Sequence, residues 1–340
     1  MITASPGARI TSTLQQPLAD WRQLWRESIT NAHELLATVG LAHLHYQLPA
    51  TDAGFPMRVP RGFVARMRRG DRHDPLLLQV LPQLAELEQA PGFVRDAVGD
   101  MDARAAHGVL HKYAGRALMI ASGSCAINCR YCFRRHFPYG EEIAAAGQWR
   151  QALDYLRGDS SINELILSGG DPLSLATSKL AELSHGLADI PHVTRIRIHS
   201  RLPVVLPERI DASFLTWLDA LPQQKVLVMH ANHANEFDAN VDAACARLRA
   251  SGVTLLNQSV LLHGVNDHAD ALVNLSERMF AAGVLPYYLH QLDRVEGTAH
   301  FEVSDAAALA LLETMRARLP GYLVPRLVRE LAGETSKRPV

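Results

Sequence analysis

The sequence predicts an α/β fold with a mostly parallel sheet, and two features of its 340 residues support this fold class. From residue 117 onward, short apolar segments alternate with longer amphipathic segments. Strands that alternate with helices imply right-handed crossovers and a parallel sheet. Six such units fit either an open barrel or a doubly wound sheet, and in both the chemistry gathers at the carboxyl ends of the strands. A cysteine-rich segment directly follows the first strand, where that rule places a functional loop.

The part of the chain before residue 109 is predicted to be helical, because apolar residues such as Trp21, Leu24 and Leu35 recur at helical spacing. We interpret the arginine-rich run 58–82 as a solvated or internally paired face. The strand candidates are 117–121, 164–168, 194–199, 225–229, 255–262 and 285–292. Helical patterns separate them at 149–158, 178–189, 208–221, 238–252 and 270–283. The chain is thereby divided into an N-terminal helical region, a β/α core and a C-terminal tail, with bounds 1–108, 109–320 and 321–340.

Composition argues against two classes of partner. The formal net charge is −1, so nothing favours nucleic acid or an anionic membrane surface. No apolar run approaches the roughly 18 residues that a membrane-spanning helix needs. The N-terminal residues, MITASPGARITSTLQQP, lack the apolar core of a signal peptide. We therefore expect a cytoplasmic protein, and reduced thiols there disfavour a disulfide.

The segment SCAINCRYCFRRHF holds three of the four cysteines, Cys125, Cys129 and Cys132, in a C-x3-C-x2-C pattern. Three thiolates in a short loop can converge on one soft-metal site. A structural zinc site normally has four ligands, and His136 would have to be the fourth. The other interpretation is a [4Fe–4S] cluster with three protein thiolates and one iron left open. Cys245 lies in a helical pattern and is interpreted as an inert buried thiol.

This cysteine pattern, with Tyr131 before and Phe133 after the last cysteine, resembles the signature of the radical S-adenosylmethionine superfamily. That resemblance implies a [4Fe–4S] cluster on the three cysteines, S-adenosylmethionine at the open iron and a partial (β/α)6 barrel. The barrel would carry the N-terminal helical extension, and the short tail would close its mouth. By the same resemblance, candidate S-adenosylmethionine contacts are Ser168, Gly169, Gly170 and Asp171 in SGGDPL, His230 in MHANHANE, and Gln258 in NQSVLLHGVND.

From RVPRGF at 58–63 to the C-terminus, the chain resembles the lysine 2,3-aminomutase family within that superfamily. Members also bind pyridoxal 5′-phosphate, which the resemblance assigns here to Lys112, Tyr113 and Arg116 in HKYAGRAL. The Schiff-base lysine would be Lys337 in GETSKRPV. A lysine so near a C-terminus is ordinarily a solvated tail residue, so this role requires the tail to fold back into the barrel mouth.

The same resemblance implies a reaction and a substrate. A 5′-deoxyadenosyl radical would remove a hydrogen from lysine held as a pyridoxal aldimine, converting (S)-α-lysine to (R)-β-lysine. Ordinary acid–base catalysis does not reach an unactivated carbon, whereas cofactor radicals do. Arg134 would bind the substrate carboxylate, as a guanidinium fork suits. Asp293 and Glu330 would bind the distal ammonium of L-lysine, Glu330 replacing an aspartate of the larger enzymes.

The chain resembles a shorter branch of the family, whose product is used for β-lysylation of elongation factor P. This implies a downstream β-lysine ligase, elongation factor P and an external electron donor as partners. The alternative within the family is a stand-alone lysine 2,3-aminomutase of metabolism. Two further alternatives stay open from the residues alone: a zinc-stapled binding module, and a radical enzyme without pyridoxal phosphate that acts on a macromolecule.

Overall fold

The computed structural model describes residues 20–49, 54–147 and 149–340, and the fold is given for these. The N-terminal segment 1–17, in which we expected no signal peptide, lies outside the described residues. Within these ranges, every helix is too short or too polar to cross a membrane.

The N-terminal region is only partly helical. Its helices are short, namely α1 (Trp21–Arg26), α2 (Ala32–Thr38), α3 (Arg61–Val64) and α4 (Pro75–Leu78). The predicted helical periodicity is interrupted at Ile29, whose backbone exchanges two hydrogen bonds with Val59 (2.9 and 2.8 Å). Asn31 then starts α2 by accepting from the backbone of His33 at 2.8 Å. Local periodicity alone does not show this bridge, because its partner lies 30 residues away in the chain.

Two antiparallel strands precede the parallel sheet, and the first of them lies in the region before residue 109 that was predicted to be helical. They are β1 (Arg104–Ala106) and β2 (Val109–Tyr113), and β2 forms a hairpin with β3 (Arg116–Ser122). The turn is Ala114–Gly115, and Gly115 takes a φ of 76°, which glycine adopts without strain. The segment HKYAGRAL is therefore a hairpin that leads into the first parallel strand.

Strand β3 and the next five strands confirm the six predicted ones, and β9 adds a seventh parallel strand; the strands after β3 are given next. They are β4 (Glu164–Gly169), β5 (Arg195–Ser200), β6 (Gln224–His230), β7 (Thr254–Val260), β8 (Leu285–His290), β9 (Arg326–Arg329) and β10 (Arg338–Pro339). The helices between them are α5 (Arg150–Gly158), α6 (Thr177–Leu187), α7 (Leu202–Val205), α8 (Ala212–Asp219), α9 (Ala239–Ala250), α10 (Ala269–Ala281) and α11 (Asp305–Arg318). Strands β3 to β9 run parallel in sequence order, and the described strands form one ten-stranded sheet that does not close. The predicted α/β class is confirmed.

The C-terminal tail is part of the sheet. Strand β9 pairs in parallel with β8, and β10 returns antiparallel along β9. The predicted boundary at residue 321 therefore separates segments that the sheet joins. This return brings Lys337, which immediately precedes β10, back beside Glu330, which immediately follows β9.

The two faces of the parallel sheet differ in chemistry. Since side chains alternate along a strand, one face packs against the helices through leucine, isoleucine and methionine side chains, including Leu165, Leu167, Ile198, Leu227 and Met229. The residues between them face the other way, and strand register places several polar side chains in adjacent rows there: Ser168, Arg197, His199, His230, Gln258, Tyr288 and His290. We call this second surface the inner face.

Candidate active site

The three cysteines of the loop after β3 lie together and are partly exposed. Burial, Asp171 and the two other thiols raise the pKa of Cys125, and burial with Cys129 raises the pKa of Cys132 to about 11. These thiols therefore ionise when a metal binds rather than in its absence. Among the described residues, no group of three or more His, Cys, Asp or Glu side chains is arranged to hold a single metal ion. Three thiols on one loop would instead suit a [4Fe–4S] cluster, which Cys125, Cys129 and Cys132 would hold.

Two buried arginines hold the loop in place through ion pairs. Arg130 and Arg135 both pair with Glu86, Arg130 through Nε at 2.8 Å and Arg135 at 2.9 Å, and all three side chains are buried. The ring of His136 faces the carbonyl of Glu296 at 3.4 Å. Cys245 is fully buried in α9 and directs its thiol at the sulfur of Met229, as expected of an inert thiol.

The SGGD loop at the end of β4 packs backbone to backbone against the cysteine loop. A Cβ on Gly169, whose φ is 120°, would lie 2.5 Å from the carbonyl oxygen of Ser122. Asp171 stabilises the loop rather than facing a ligand, because its buried carboxylate accepts from Leu173 N, Ser200 Oγ, Arg201 N and Leu202 N at 2.8–3.1 Å. Burial raises the pKa of Asp171 to about 6 despite these bonds.

We expect Gly170→Ala to destabilise the protein by about 1–3 kcal/mol, as overpacking does. The added Cβ would lie 2.7 Å from the carbonyl oxygen of Ser124 and 2.8 Å from the carbonyl carbon of Gly123, and neither backbone atom can yield without moving the cysteine loop. Denaturant unfolding of the two proteins measures this difference. Gly62→Ala is the matched control, because its Cβ meets open space and should not destabilise. Equal stability of both variants would contradict the tight packing of the two loops.

Three histidines of the inner face are neutral, of which His290 is buried and His199 and His230 are half-buried. His230 lies in register with Gln258, and its ring is 6.0 Å from that of His199. Burial lowers the pKa of His230 to about 3, with help from Arg201 and Arg134. Burial likewise lowers the pKa of His199 and of His290. The Nε2 atom of each ring is buried with no hydrogen-bond partner in the part of the chain that the structure describes. Unsatisfied buried polar atoms of this kind point to a ligand.

A chain of ion pairs joins four residues predicted for pyridoxal phosphate or substrate with one that was not predicted. Lys337 pairs with Glu330, whose other oxygen lies 3.0 Å from Lys112. Lys112 also pairs with Asp100 at 2.6 Å, and Asp100 accepts from Nε of Arg134 at 2.6 Å. Burial acts to raise the pKa of Glu330, but the neighbouring Lys337 and Lys112 outweigh it and hold this pKa at about 2. Glu330 is therefore an anion shared by two lysines.

The side chain of Arg134 has protein partners, whereas one carboxylate oxygen of Asp293 has none within the described residues. Arg134 is 7% exposed, so it is not a surface arginine, and its Nη1 donates to Ser168 at 3.0 Å. Burial and the nearby Glu330 raise the pKa of Asp293 to about 7. Its Oδ1 atom is buried, and none of the residues in the described ranges donates to it. A carboxylate in this position is stabilised when a cation binds beside it.

The hairpin residues lie next to this network. Burial and the negative charge of the nearby Glu330 raise the pKa of Tyr113. The guanidinium of Arg116 stacks on the Tyr113 ring at 4.6 Å. The predicted pyridoxal residues Lys112, Tyr113, Arg116 and Lys337 therefore come together, although they come from opposite ends of the sheet.

Asp100, His199, His290 and Arg201 were missed by the sequence analysis. His199, His290 and Arg201 lie at or just after the ends of parallel strands, so the strand-end rule could have found them. Asp100 lies in an irregular segment, and no local pattern marks it. A separate apolar cavity between α2 and residues 77–85 lies apart from all these residues.

Comparison with known proteins agrees with this geometry. A family model described as a 4Fe-4S single cluster domain matches residues 114–191, which include the cysteine loop and the SGGD loop. Curated proteins named L-lysine 2,3-aminomutase from Haemophilus influenzae and Escherichia coli are each 46% identical, over 94% of this chain and 94% of their own length. One from Clostridium subterminale is 32% identical over 94% of this chain and 77% of its own length.

The relatives from Haemophilus influenzae and Escherichia coli match almost the whole chain. Identity of this level over this length shows the family. The chain belongs to the lysine 2,3-aminomutase family of the radical S-adenosylmethionine superfamily.

Proposed function

We propose that this protein is a lysine 2,3-aminomutase that converts (S)-α-lysine to (R)-β-lysine. The observation that carries the proposal is the buried Oδ1 of Asp293, which lacks a donor among the described residues and lies near Glu330 and Lys337. A free carboxylate in this network suits the distal ammonium of lysine. The names of the relatives support the same reaction.

The donor set fits a [4Fe–4S] cluster on Cys125, Cys129 and Cys132, since three partly exposed thiols share one loop and affect each other's ionisation. The unpartnered Nε2 of His230, with Gln258 beside it, suits a polar nucleoside ligand above the SGGD loop. Of that loop, Ser168, Gly169 and Gly170 would approach S-adenosylmethionine, while Asp171 holds the loop in shape.

The residues around Lys337 fit pyridoxal phosphate. Its amine lies in a network with Lys112, Tyr113 and Glu330, and Arg116 stacks on Tyr113, so cationic groups and a phenol are available for a phosphorylated pyridine. The side chain of Lys337 is 20% exposed, which leaves it partly accessible to a ligand. We propose Lys337 as the residue that binds this cofactor covalently.

When bound, the cluster with S-adenosylmethionine supplies radical chemistry at an unactivated carbon, and pyridoxal phosphate supplies a carbonyl that carries the migrating nitrogen. The protein contributes position and charge. Arg134 would bind the substrate carboxylate, which then shares the guanidinium with Asp100. Asp293 would hold the distal ammonium, and Glu330 would add negative charge beside it. The neutral histidines would line the space between these groups without adding cations.

Anaerobic reconstitution tests the proposal directly. Purified protein is supplied with iron, sulfide, pyridoxal phosphate, S-adenosylmethionine, a chemical reductant and L-lysine, and β-lysine is followed by NMR. We expect β-lysine to form only when every component is present. An intact cluster without product would argue strongly against an aminomutase, and zinc without sulfide in the purified protein would favour the zinc-stapled binding module instead.

We further propose that β-lysine from this enzyme is attached to elongation factor P by a ligase, in a cytoplasm that keeps the thiols reduced. The support is similarity: the chain is 46% identical to the relatives from Haemophilus influenzae and Escherichia coli but 32% identical to the clostridial enzyme, and its motifs resemble the shorter branch of the family. The alternative is a stand-alone metabolic enzyme. Deleting the gene and weighing elongation factor P by mass spectrometry separates them, because only the first proposal expects the modified mass to disappear.

A further inference from the structure

Within the described ranges, Arg201 is the only residue whose side chain forms a hydrogen bond with a cysteine of the loop. It follows directly after β5, and its guanidinium is 6% exposed. Its Nη1 lies 2.6 Å from Sγ of Cys129 and 2.8 Å from the hydroxyl oxygen of Tyr131. A charged N–H group therefore points at a sulfur that the proposed cluster would use.

The guanidinium is fixed from the opposite side by a fully buried acid. Its Nη2 donates to Oε2 of Glu236 at 2.9 Å and to Oε1 of Gln79 at 2.7 Å. Oε1 of Glu236 in turn accepts from the backbone of Asn232 at 2.7 Å, so the carboxylate has little freedom to turn. The sulfur of Cys129, the guanidinium and the carboxylate thus form a row of alternating charge once the thiol is ionised.

The charges in this row bear on the reduction potential of the cluster. Reduction potentials of iron–sulfur clusters depend on hydrogen bonds to the sulfurs, on nearby charge and on solvent exposure. One-electron reduction makes the cluster and its thiolates one unit more negative. A buried positive charge stabilises that added charge strongly, because the protein interior screens weakly. The carboxylate of Glu236 acts in the opposite direction from a greater distance.

We infer that Arg201 is a positioning residue that raises the reduction potential of the iron–sulfur cluster through its N–H contact with Cys129, and that Glu236 limits this effect. The inference rests on Cys129 being a cluster ligand. It does not depend on pyridoxal phosphate, lysine or the aminomutase reaction.

The test is a redox titration of reconstituted protein, followed by EPR, without S-adenosylmethionine, pyridoxal phosphate or lysine. For Arg201→Gln, which keeps N–H donors but removes the charge, we expect at least a tenfold smaller equilibrium constant for one-electron reduction, a shift of about −59 mV. Arg201→Lys keeps the charge, so its potential should stay closer to that of the parent protein. Glu236→Gln removes the opposing charge and should shift the potential in the positive direction.

Arg209→Gln is the matched control. Arg209 is also a fully buried arginine, but its guanidinium donates to the carbonyls of Leu173 and Leu175 and not to sulfur. Iron and sulfide content of each variant establishes whether the cluster is present, which separates a wrong ligand assignment from a wrong role for Arg201. If Arg201→Gln fails to fold, the positive shift expected of Glu236→Gln, with the potential of Arg201→Lys close to that of the parent protein, decides the question. Potentials equal to that of Arg209→Gln throughout would overturn the inference.

Discussion

Lys337→Ala should abolish aminomutase activity and remove the visible absorbance of bound pyridoxal phosphate. The reason is that Lys337 is proposed to bind the cofactor covalently, and an alanine has no amine to do so. The cluster should remain, because Cys125, Cys129 and Cys132 lie on a different loop. Absorbance of the anaerobic protein after gel filtration with pyridoxal phosphate, together with iron content, measures both effects on one sample.

The same substitution also removes an ion pair, so folding needs its own control. Glu330 has a folded pKa of about 2, below its ordinary 4.5, and the stability it contributes is present above pH 4.5 and lost as pH falls towards 2. Without Lys337, Glu330 keeps Lys112, so we expect a loss of about 1 kcal/mol at neutral pH and little at pH 2.

Lys337→Arg separates the two roles of this side chain. An arginine keeps the positive charge beside Glu330 but forms no imine with a carbonyl. We expect this variant to be as stable as the parent protein in thermal unfolding and to be inactive. Activity and visible cofactor binding that survive in both variants would sink the assignment of Lys337 and favour a radical enzyme that does not use pyridoxal phosphate.

Asp293→Asn should raise the KM for lysine by roughly thirtyfold or more, since removing one member of a buried charge pair costs about 2–5 kcal/mol. The amide keeps the shape of the side chain, while the negative charge available to the distal ammonium is lost. Steady-state kinetics on the reconstituted enzyme measure this change. An unchanged KM would show that lysine binds with its ammonium elsewhere.

The same change should stabilise the protein without ligands at high pH. The folded pKa of Asp293, about 7, is above its ordinary 3.8, so the parent protein loses stability as pH rises from 3.8 to 7. Asparagine does not titrate, so the variant should be more stable at pH 8 by on the order of 1–2 kcal/mol, a figure reduced because Asp293 is partly exposed. The advantage should disappear near pH 4.

Thermal unfolding at pH 4 and pH 8 measures this crossover, with Asp189→Asn as control. Asp189 is exposed, and its neutralisation should leave the pH dependence unchanged. A carboxylate that binds substrate is expected to lower the stability of the ligand-free protein and to strengthen lysine binding. If Asp293→Asn and Asp189→Asn behaved alike at both pH values, the burial of the Asp293 carboxylate would be irrelevant to its role.

Local pattern was sufficient for the sheet and for the cysteine loop. Each parallel strand from β3 to β8 is a short apolar run between amphipathic helices, and hydrophobic periodicity reports such units directly. The loop of Cys125, Cys129 and Cys132 is also local, because three ligands within eight residues need no distant partner. Strands β1, β2, β9 and β10 were missed because each is short and gains its stability from a neighbouring strand rather than from its own pattern.

The residues of the site fall into two groups for the same reason. The sequence by itself determined the strand-end loops and the types of side chain on them, since these follow from spacing along one strand. Only the tertiary structure decided that Asp100 lies between Lys112 and Arg134, that Arg201 contacts Cys129, and that β9 and β10 return Lys337 to Glu330. Charges that are distant in the chain meet only after the sheet is assembled, and burial then fixes which carboxylate is paired and which is left free for a ligand.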